Sequence, residues 1–364
     1  MFPLQTLKHK SHNTMKHYLN IFLVMLLLLT AACNKDDDDE IIPDNPNGNT
    51  TITPDNHNNG NSTENQNGNY TENPNNGNST ENQNGNSTDK TQSVIPADKK
   101  IGLVLGGGGA KGAAEIGVLK VMESYNVKFD YIAGTSIGAS VGALYAAGYT
   151  ADELEVFMAN LTYEDGTDSD RIKAILSKAF EDKGVKTFAD LKIPFRCVAA
   201  DAKTQQEVVL SDGDLLESVM ASMAIPVIYK TVEMNGMELV DGGFLNNLPV
   251  DVATEMGAEY TVVIDLQSKG SMLADAFSDK ITFLMANPDI AKEMYGEDVI
   301  NFAVTYFMTH PEDAKYNINT KAADLYIHPD LTGYDLMSFG KENSDAMVAI
   351  GVKAAEEVFE IESK

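Results

Sequence analysis

Two successive segments each combine a short apolar run, a glycine-rich turn and a helical stretch. The first covers residues 101–125 and the second residues 129–147. A strand that is followed by a helix brings the chain back to start a parallel neighbour, so such units predict parallel strands. Apolar runs continue to alternate with helical stretches up to the C-terminal residues. We therefore predict an α/β fold over residues 100–364, with helices on both faces of a mainly parallel central sheet in a three-layer α/β/α arrangement.

The chain before residue 100 has a different composition. Residues 34–99 are mostly Asn, Gly, Thr, Ser, Glu, Gln and Pro, and the ten residues 60–69 recur at 77–86. A tract with so few apolar side chains cannot offset the entropy lost on ordering. We predict that it is a disordered tether between an N-terminal segment, residues 1–33, and the folded domain.

Residues 16–33 have the layout of a secretory signal. Lys16 and His17 precede an apolar run, residues 21–29, that is too short to span a bilayer core. The end of the segment resembles the lipobox of bacterial lipoproteins, which implies cleavage before Cys33 and lipidation of that cysteine. The acidic residues 36–40 resemble a surface-export signal, although a solvated charge run has the same composition. We expect a lipid-anchored outer-membrane lipoprotein of the bacterial cell envelope, exposed at the surface if the acidic run is such a signal.

The charge of the chain excludes several classes of partner. Its 54 acidic and 27 basic side chains give a net charge of −27, with no basic stripe for a nucleic acid and little attraction to anionic lipid. No cluster of His, Cys and carboxylate residues has metal-ligand spacing, so we expect no metal and no cofactor. No sequence feature predicts a protein partner. Cys197 lies in an apolar run, which favours a buried free thiol.

Three motifs could carry chemistry. The glycine turn at residues 107–112 joins a strand to a helix and offers unpaired N–H groups to a negative charge, but its GxGxxG spacing also fits dinucleotide-binding folds. The GxSxG sequence at 134–138 lies between a strand and a helix, where its glycines permit the sharp turn that exposes a serine hydroxyl. Asp241 opens a Gly-Gly turn, which by itself is commonly only a turn residue.

Taken in order, these motifs resemble those of the patatin-like phospholipases, in particular the small bacterial branch. Residues 221–226, 247–251 and 323–329 fit the same family pattern. The resemblance implies a serine acyl hydrolase that cleaves a phospholipid or another acyl-ester lipid, with Ser136 as nucleophile and Asp241 as its base. It implies an oxyanion hole formed by Gly107, Gly108 and Gly109. It also implies supporting roles in the motifs for Lys111, Gly112, Gly134, Gly138, Gly242 and Gly243.

One position departs from this pattern, and several alternatives remain. Glu115 stands where many relatives carry histidine, which leaves substrate detail in doubt.

His310 and His328 follow Asp241 in the sequence, so an α/β-hydrolase-like esterase with a Ser-Asp-His triad has the required chain order. A surface lipoprotein that binds lipid or nucleotide without cleaving it is another possibility. Residues 271–310 have apolar side chains at helical spacing, which fits either helices packed on the sheet or a mobile lid.

Overall fold

The computed structural model describes residues 95–226, 228–267, 286–309 and 312–362. All of them belong to one compact unit, residues 88–364. The predicted signal segment with Cys33, nearly all of the predicted tether, and His310 lie outside the described residues.

An eight-stranded sheet forms the centre of the fold, with the order β5-β6-β3-β2-β1-β7-β8 and β4 paired to β3. The strands are β1 Ile101–Leu105, β2 Tyr131–Thr135, β3 Phe195–Asp201, β4 Gln206–Leu210, β5 Val232–Met234, β6 Met237–Asp241, β7 Tyr260–Ile264 and β8 Leu325–Ile327. The run from β3 through β2, β1 and β7 to β8 is parallel throughout. The antiparallel pairs all involve β4, β5 or β6.

Eleven α-helices surround this sheet within the described residues. They are α1 Ala113–Ser124, α2 Ile137–Ala147, α3 Ala151–Ala159, α4 Tyr163–Thr167, α5 Ser169–Lys183, α6 Leu215–Ser222, α7 Val250–Met256, α8 Pro288–Tyr295, α9 Glu297–Thr309, α10 Glu312–Ala322 and α11 Lys341–Glu362. No helix in this described part of the chain is both long enough and apolar enough to cross a membrane.

Both faces of the sheet are buried, which explains why its central strands are apolar along their whole length. On β1, Leu103 and Leu105 join the large apolar cluster that contains α1, α2, α5, α6 and α11, whereas Val104 points into a smaller cluster with α7. This alternation follows from the two-residue period of a strand. The predicted three-layer α/β/α fold is confirmed, and the sequence analysis did not anticipate the antiparallel edge.

Strand β3 aligns two distant parts of the chain because it pairs with different partners along its length. Its residue Val198 is in register with Thr135 of β2, and the next residue, Ala199, is in register with Asp241 of β6. The ends of β2 and β6 therefore meet at neighbouring positions of one strand. This register brings the residue after Thr135 next to Asp241.

The C-terminal helix α11 packs closely on α1. A Cβ added to Gly117 would lie 2.0 Å from the carbonyl oxygen of Val348, and one added to Gly351 would lie 2.0 Å from that of Ala114. Only glycine allows the two backbones to approach this closely. Helix α1 therefore has one of its sides covered by α11, which follows more than 200 residues later.

Candidate active site

Ser136 lies on the sharp turn between β2 and α2. Its φ of 55° lies in the left-handed region, which is strained for a residue with a side chain. The flanking glycines allow the turn, since a Cβ on Gly134 would lie 2.4 Å from the carbonyl oxygen of Gly138, and a Cβ on Gly138 would lie 2.3 Å from that of Leu105. The strand, the tight turn and the following helix are the context in which a GxSxG motif exposes a nucleophile.

Asp241 contacts Ser136 directly. The hydroxyl of Ser136 donates a 2.6 Å hydrogen bond to Oδ2 of Asp241, and the N–H of Gly243 donates a 2.7 Å bond to Oδ1. Burial raises the pKa of the Asp241 carboxyl to about 7, although these two hydrogen bonds act in the opposite direction. Gly242 is required because a Cβ there would lie 2.2 Å from the carbonyl oxygen of Val198. The structure thus brings together the two side chains that the sequence motifs singled out.

A buried serine on α6 supports the turn that carries Ser136. Ser222 Oγ accepts a 3.0 Å hydrogen bond from the N–H of Ser136 and donates a 2.6 Å bond to the carbonyl oxygen of Val198. It therefore satisfies the backbone of the strained residue and ties it to β3. The sequence analysis noted residues 221–226 as part of the family pattern but gave Ser222 no role.

In the glycine turn, the N–H groups at the two ends, those of Gly107 and Ala110, donate hydrogen bonds to backbone oxygens, whereas the two N–H groups between them do not. The N–H of Gly107 donates to the carbonyl oxygen of Asn247 at 3.1 Å, and that of Ala110 donates to Leu336 at 2.9 Å. Within the described ranges, the N–H groups of Gly108 and Gly109 have no acceptor. The prediction for Gly107 therefore needs correction: its N–H is occupied by Asn247, and only those of Gly108 and Gly109 are available to an anion.

The other glycine-turn residues that the motif singled out are buried. Lys111 is 3% exposed, and burial lowers its pKa, while the charges of Asp335 and Asp265 act to raise it. A Cβ on Gly112 would lie 2.4 Å from the side chain of Ile137, so the glycine lets the turn pack against the start of α2. These contacts bring the glycine turn and the Ser136 turn together.

The histidine alternative is not assembled in the described structure. His328 follows β8, three strand positions from β2, which corresponds to roughly 14 Å at the usual strand spacing. Its Nδ1 lies 3.1 Å from the backbone oxygen of Asp265, and its ring stacks on Tyr326. Among the described residues, the titratable side chain that hydrogen-bonds to the Ser136 hydroxyl is therefore that of Asp241.

Comparison with known proteins agrees with the motifs. Residues 103–254 match the family model for patatin-like phospholipases. The chain has a patatin-like phospholipase domain. It is 29% identical to patatin-like phospholipase domain-containing protein 7 of Mus musculus over 290 residues, which cover 72% of this chain and 21% of that protein. It is 27% identical to lysophospholipase NTE1 of Pyricularia oryzae over 277 residues, which cover 70% of this chain and 18% of that protein.

The chain spans about a fifth of the length of these curated relatives. Among solved structures, VipD from Legionella pneumophila is similar in part, with 13% identity, a TM-score of 0.42 and coverage of 72% of this chain and 67% of that chain.

A mostly apolar cavity adjoins Ser136 in the patatin-like domain. Its walls come from the glycine turn, from helices α2 to α5, and from the segments at 223–229 and 336–339. The lining residues are Gly109, Ser136, Ile137, Ser140, Phe157, Met158, Leu161, Gly166, Ile172, Met223, Ile225, Ile228, Tyr229, Leu336, Met337 and Phe339. Tyr229 hydrogen-bonds through its hydroxyl to the carbonyl oxygen of Gly166 at 2.7 Å, so its polar end is satisfied within the wall.

Glu115 lies in α1 of the patatin-like domain and does not line this cavity. It is fully buried, and neither carboxylate oxygen has a hydrogen-bond partner among the described residues. Burial raises its pKa well above the ordinary value, which favours the neutral acid. The sequence analysis expected the replacement of the family's histidine by Glu115 to affect substrate choice. The burial of Glu115 away from the cavity gives no support to that expectation.

Part of the stretch 271–310 is a packed helix. Val299, Phe302 and Tyr306 of α9 are buried, and the two aromatic rings pack edge-on against Phe244 with ring centroids 5.4 and 4.6 Å away. Phe244 ends the short turn that begins directly after Asp241. Helix α9 thus supports the Asp241 turn, while residues 271–285 lie outside the described residues.

Proposed function

We propose that this chain is a serine acyl hydrolase that cleaves fatty-acyl esters of phospholipids or related lipids through a Ser136–Asp241 dyad. The observation that carries the proposal is the 2.6 Å hydrogen bond from the Ser136 hydroxyl to Asp241. It lies in a buried site beside the two N–H groups of the glycine turn that have no acceptor among the described residues. Nucleophile, base and anion donors are the three parts that acyl transfer requires.

The reaction begins at Ser136. Asp241 accepts the hydroxyl proton along the existing hydrogen bond as Oγ attacks the ester carbonyl carbon. The carbonyl oxygen becomes negative and is stabilised by the N–H groups of Gly108 and Gly109. Loss of one such donor typically costs about 3–4 kcal/mol of transition-state stabilisation. Asp241 then transfers the proton to the leaving alcohol, and an acyl ester remains on Ser136.

Water completes the cycle. Asp241, ionised again, takes a proton from a water molecule that attacks the acyl-enzyme and returns this proton to Oγ of Ser136 as the bond to the acyl group breaks and the fatty acid leaves. A free aspartate is a weak base for these steps, because its pKa is about 3.9. The pKa of about 7 in this buried site brings its basicity close to what acyl transfer at neutral pH needs.

The cavity beside Ser136 supports a fatty-acyl chain as the group transferred. Its lining is dominated by aliphatic, Met and Phe side chains, and it opens next to the nucleophile. An alkyl chain gains about 0.8 kcal/mol for each methylene that it buries. The polar part of the ester lipid would remain at the mouth, and the acidic surface of the chain favours a neutral or zwitterionic head group over an anionic one.

Fatty-acid release from phospholipid and lysophospholipid vesicles tests the proposal, with a p-nitrophenyl ester as a second substrate. The purified full chain should release fatty acid, and Ser136→Ala and Asp241→Asn should be inactive. Ser218→Ala is the matched control, because Ser218 is also fully buried but its hydroxyl donates to the backbone oxygen of Asp214, the residue before α6. Intact-mass detection of a fluorophosphonate adduct on wild type but not on Ser136→Ala gives a readout independent of turnover. An inert wild type that still binds lipid would instead support a non-catalytic lipid-binding protein.

We also propose that the domain is anchored to the outer membrane through lipidated Cys33. The support is the signal-like sequence of residues 16–33 and the polar tract that follows it. Metabolic labelling with a fatty-acid analogue in a bacterial host should label wild type and not Cys33→Ser. Equal labelling of both chains would contradict the proposal.

A further inference from the structure

Asn247 contacts the glycine turn through both its backbone and its side chain. Its carbonyl oxygen accepts the N–H of Gly107 at 3.1 Å, and its Nδ2 donates to the carbonyl oxygen of Gly107 at 3.3 Å. We propose that Asn247 is a positioning residue that aims the oxyanion-binding N–H of Gly108 at the reacting carbonyl. This inference rests on the proposed hydrolase function.

The planarity of the peptide bond links these contacts to Gly108. The carbonyl of Gly107 and the N–H of Gly108 belong to one peptide unit, in which the C=O and N–H of a trans bond point in opposite directions. Asn247 holds the carbonyl on one side, so the N–H of Gly108 is directed to the other. Both groups of Gly107 are then occupied, and the N–H of Gly108 is the first donor of the turn that has no acceptor among the described residues.

Asn247 also touches the turn that carries the base. A Cβ on Gly107 would lie 2.2 Å from Oδ1 of Asn247, and a Cβ on Gly243 would lie 2.7 Å from the same atom. The N–H of Gly243 donates to the carboxylate of Asp241. One amide side chain therefore lies between the oxyanion turn and the turn that carries the base.

A buried network holds the Asn247 amide in this orientation. Nδ2 also donates to Oε1 of Gln267 at 3.2 Å, and the backbone N–H of Gln267 donates to Oδ1 of Asp265 at 2.9 Å. The other oxygen of Asp265, which is fully buried, accepts hydrogen bonds from the hydroxyls of Tyr316 and Tyr326. Nδ2 therefore faces two acceptors, Gly107 O and Gln267 Oε1, which an amide N–H₂ group satisfies and a carboxylate cannot.

The test compares Asn247→Asp and Asn247→Ala with wild type. Asp keeps the shape of the side chain but places an acceptor against the Gly107 carbonyl. Asn319→Ala is the matched control, because Asn319 is also buried and bonds to the neighbouring carbonyl of Leu248 without contacting the glycine turn. The measurements are kcat and KM on a p-nitrophenyl ester, melting temperature, and affinity for two inhibitors of equal chain length, an alkyl trifluoromethyl ketone and a fatty alcohol. Only the ketone forms a tetrahedral adduct that needs the oxyanion donors.

We expect kcat to fall by about 10- to 100-fold in both Asn247 variants, a loss approaching that of one oxyanion donor. Ketone affinity should fall by a similar factor, whereas KM and alcohol affinity should change less than about threefold. Asn319→Ala should lower the melting temperature at nearly unchanged kcat. If the Asn247 variants behave like Asn319→Ala in kcat and ketone binding, the role of Asn247 is wrong while the hydrolase stands. A wild type with neither turnover nor ketone binding would overturn the hydrolase itself, and this inference with it.

Discussion

The hydroxyl of Ser136 lies 2.6 Å from Oδ2 of Asp241, and burial raises the pKa of that carboxyl to about 7. A base acts only in its ionised form. We expect kcat/KM for an uncharged p-nitrophenyl ester to rise about tenfold per pH unit up to pH 7 and to level off above it. Glu115→Met is the control, because Glu115 is another buried carboxyl whose pKa is strongly raised, and the substitution should leave the midpoint of the pH profile unchanged. A profile that is flat from pH 5 to pH 8 contradicts the assignment of Asp241.

Asp241 should also reduce the stability of the fold at alkaline pH. Its pKa is raised on folding, so between about pH 4 and pH 7 the folded state retains a proton that the unfolded state has released. Its contribution to stability is therefore greatest at low pH, decreases as pH rises through this window and stays low above pH 7. Asp241→Asn keeps the hydrogen-bonding shape and cannot ionise. At pH 8 we expect the variant to have a higher melting temperature than wild type and a free energy of unfolding larger by up to about a few kcal/mol. At pH 4 the two melting temperatures should be similar. Equal melting temperatures at both pH values would contradict the raised pKa.

Ser222 and Ser218 offer a matched comparison on one helix. Both are fully buried. The Ser222 hydroxyl bonds to the backbone of Ser136 and Val198, whereas the Ser218 hydroxyl bonds to the backbone of Asp214, the residue before α6. Ser222→Ala leaves the N–H of Ser136 without this partner. We expect it to cost about 1–3 kcal/mol of stability and to lower kcat, because the strained turn loses its support. Chemical denaturation and ester kinetics measure both effects. Ser218→Ala should be nearly neutral in kcat, and equal losses in the two variants would argue against a specific role for Ser222.

The cavity predicts a shift in acyl-chain preference. Ile172 of α5 lines the cavity, whereas Ile175 on the same helix is partly buried elsewhere in the core. Ile172→Phe adds bulk to the cavity, so we expect kcat/KM to fall more for long p-nitrophenyl esters than for short ones. Each methylene that no longer fits should cost about 0.8 kcal/mol, or roughly fourfold. Ile175→Phe is the control and should leave the ratio between chain lengths unchanged. If Ile172→Phe leaves the ratio of kcat/KM between long and short esters unaltered, the cavity does not bind the acyl chain.

Local sequence was informative where local geometry determines the structure. The strand, glycine turn and helix around Ser136 follow from residues adjacent in the chain, and the same holds for the glycine turn. Asp241 was recognisable only through the ordered resemblance, because its contact with Ser136 depends on the register of β3. The hydrogen bond between Gly107 and Asn247 could not be predicted from the sequence for a related reason. The two residues are 140 positions apart, and only the assembled sheet shows which of the many Asn and Gln side chains contacts the glycine turn. Glu115 gave no signal of its complete burial, since an acidic residue in a helix is ordinarily exposed.

The close packing of α1 against α11 has a consequence for biosynthesis. A nascent chain that has not yet released residues 341–362 from the ribosome already contains Ser136, Asp241 and the glycine turn, but the side of α1 that packs on α11 is still uncovered. Release of residues 341–362 from the ribosome would then supply the backbone contacts that hold α1 beside the glycine turn, and a polypeptide that terminates before residue 341 would lack them.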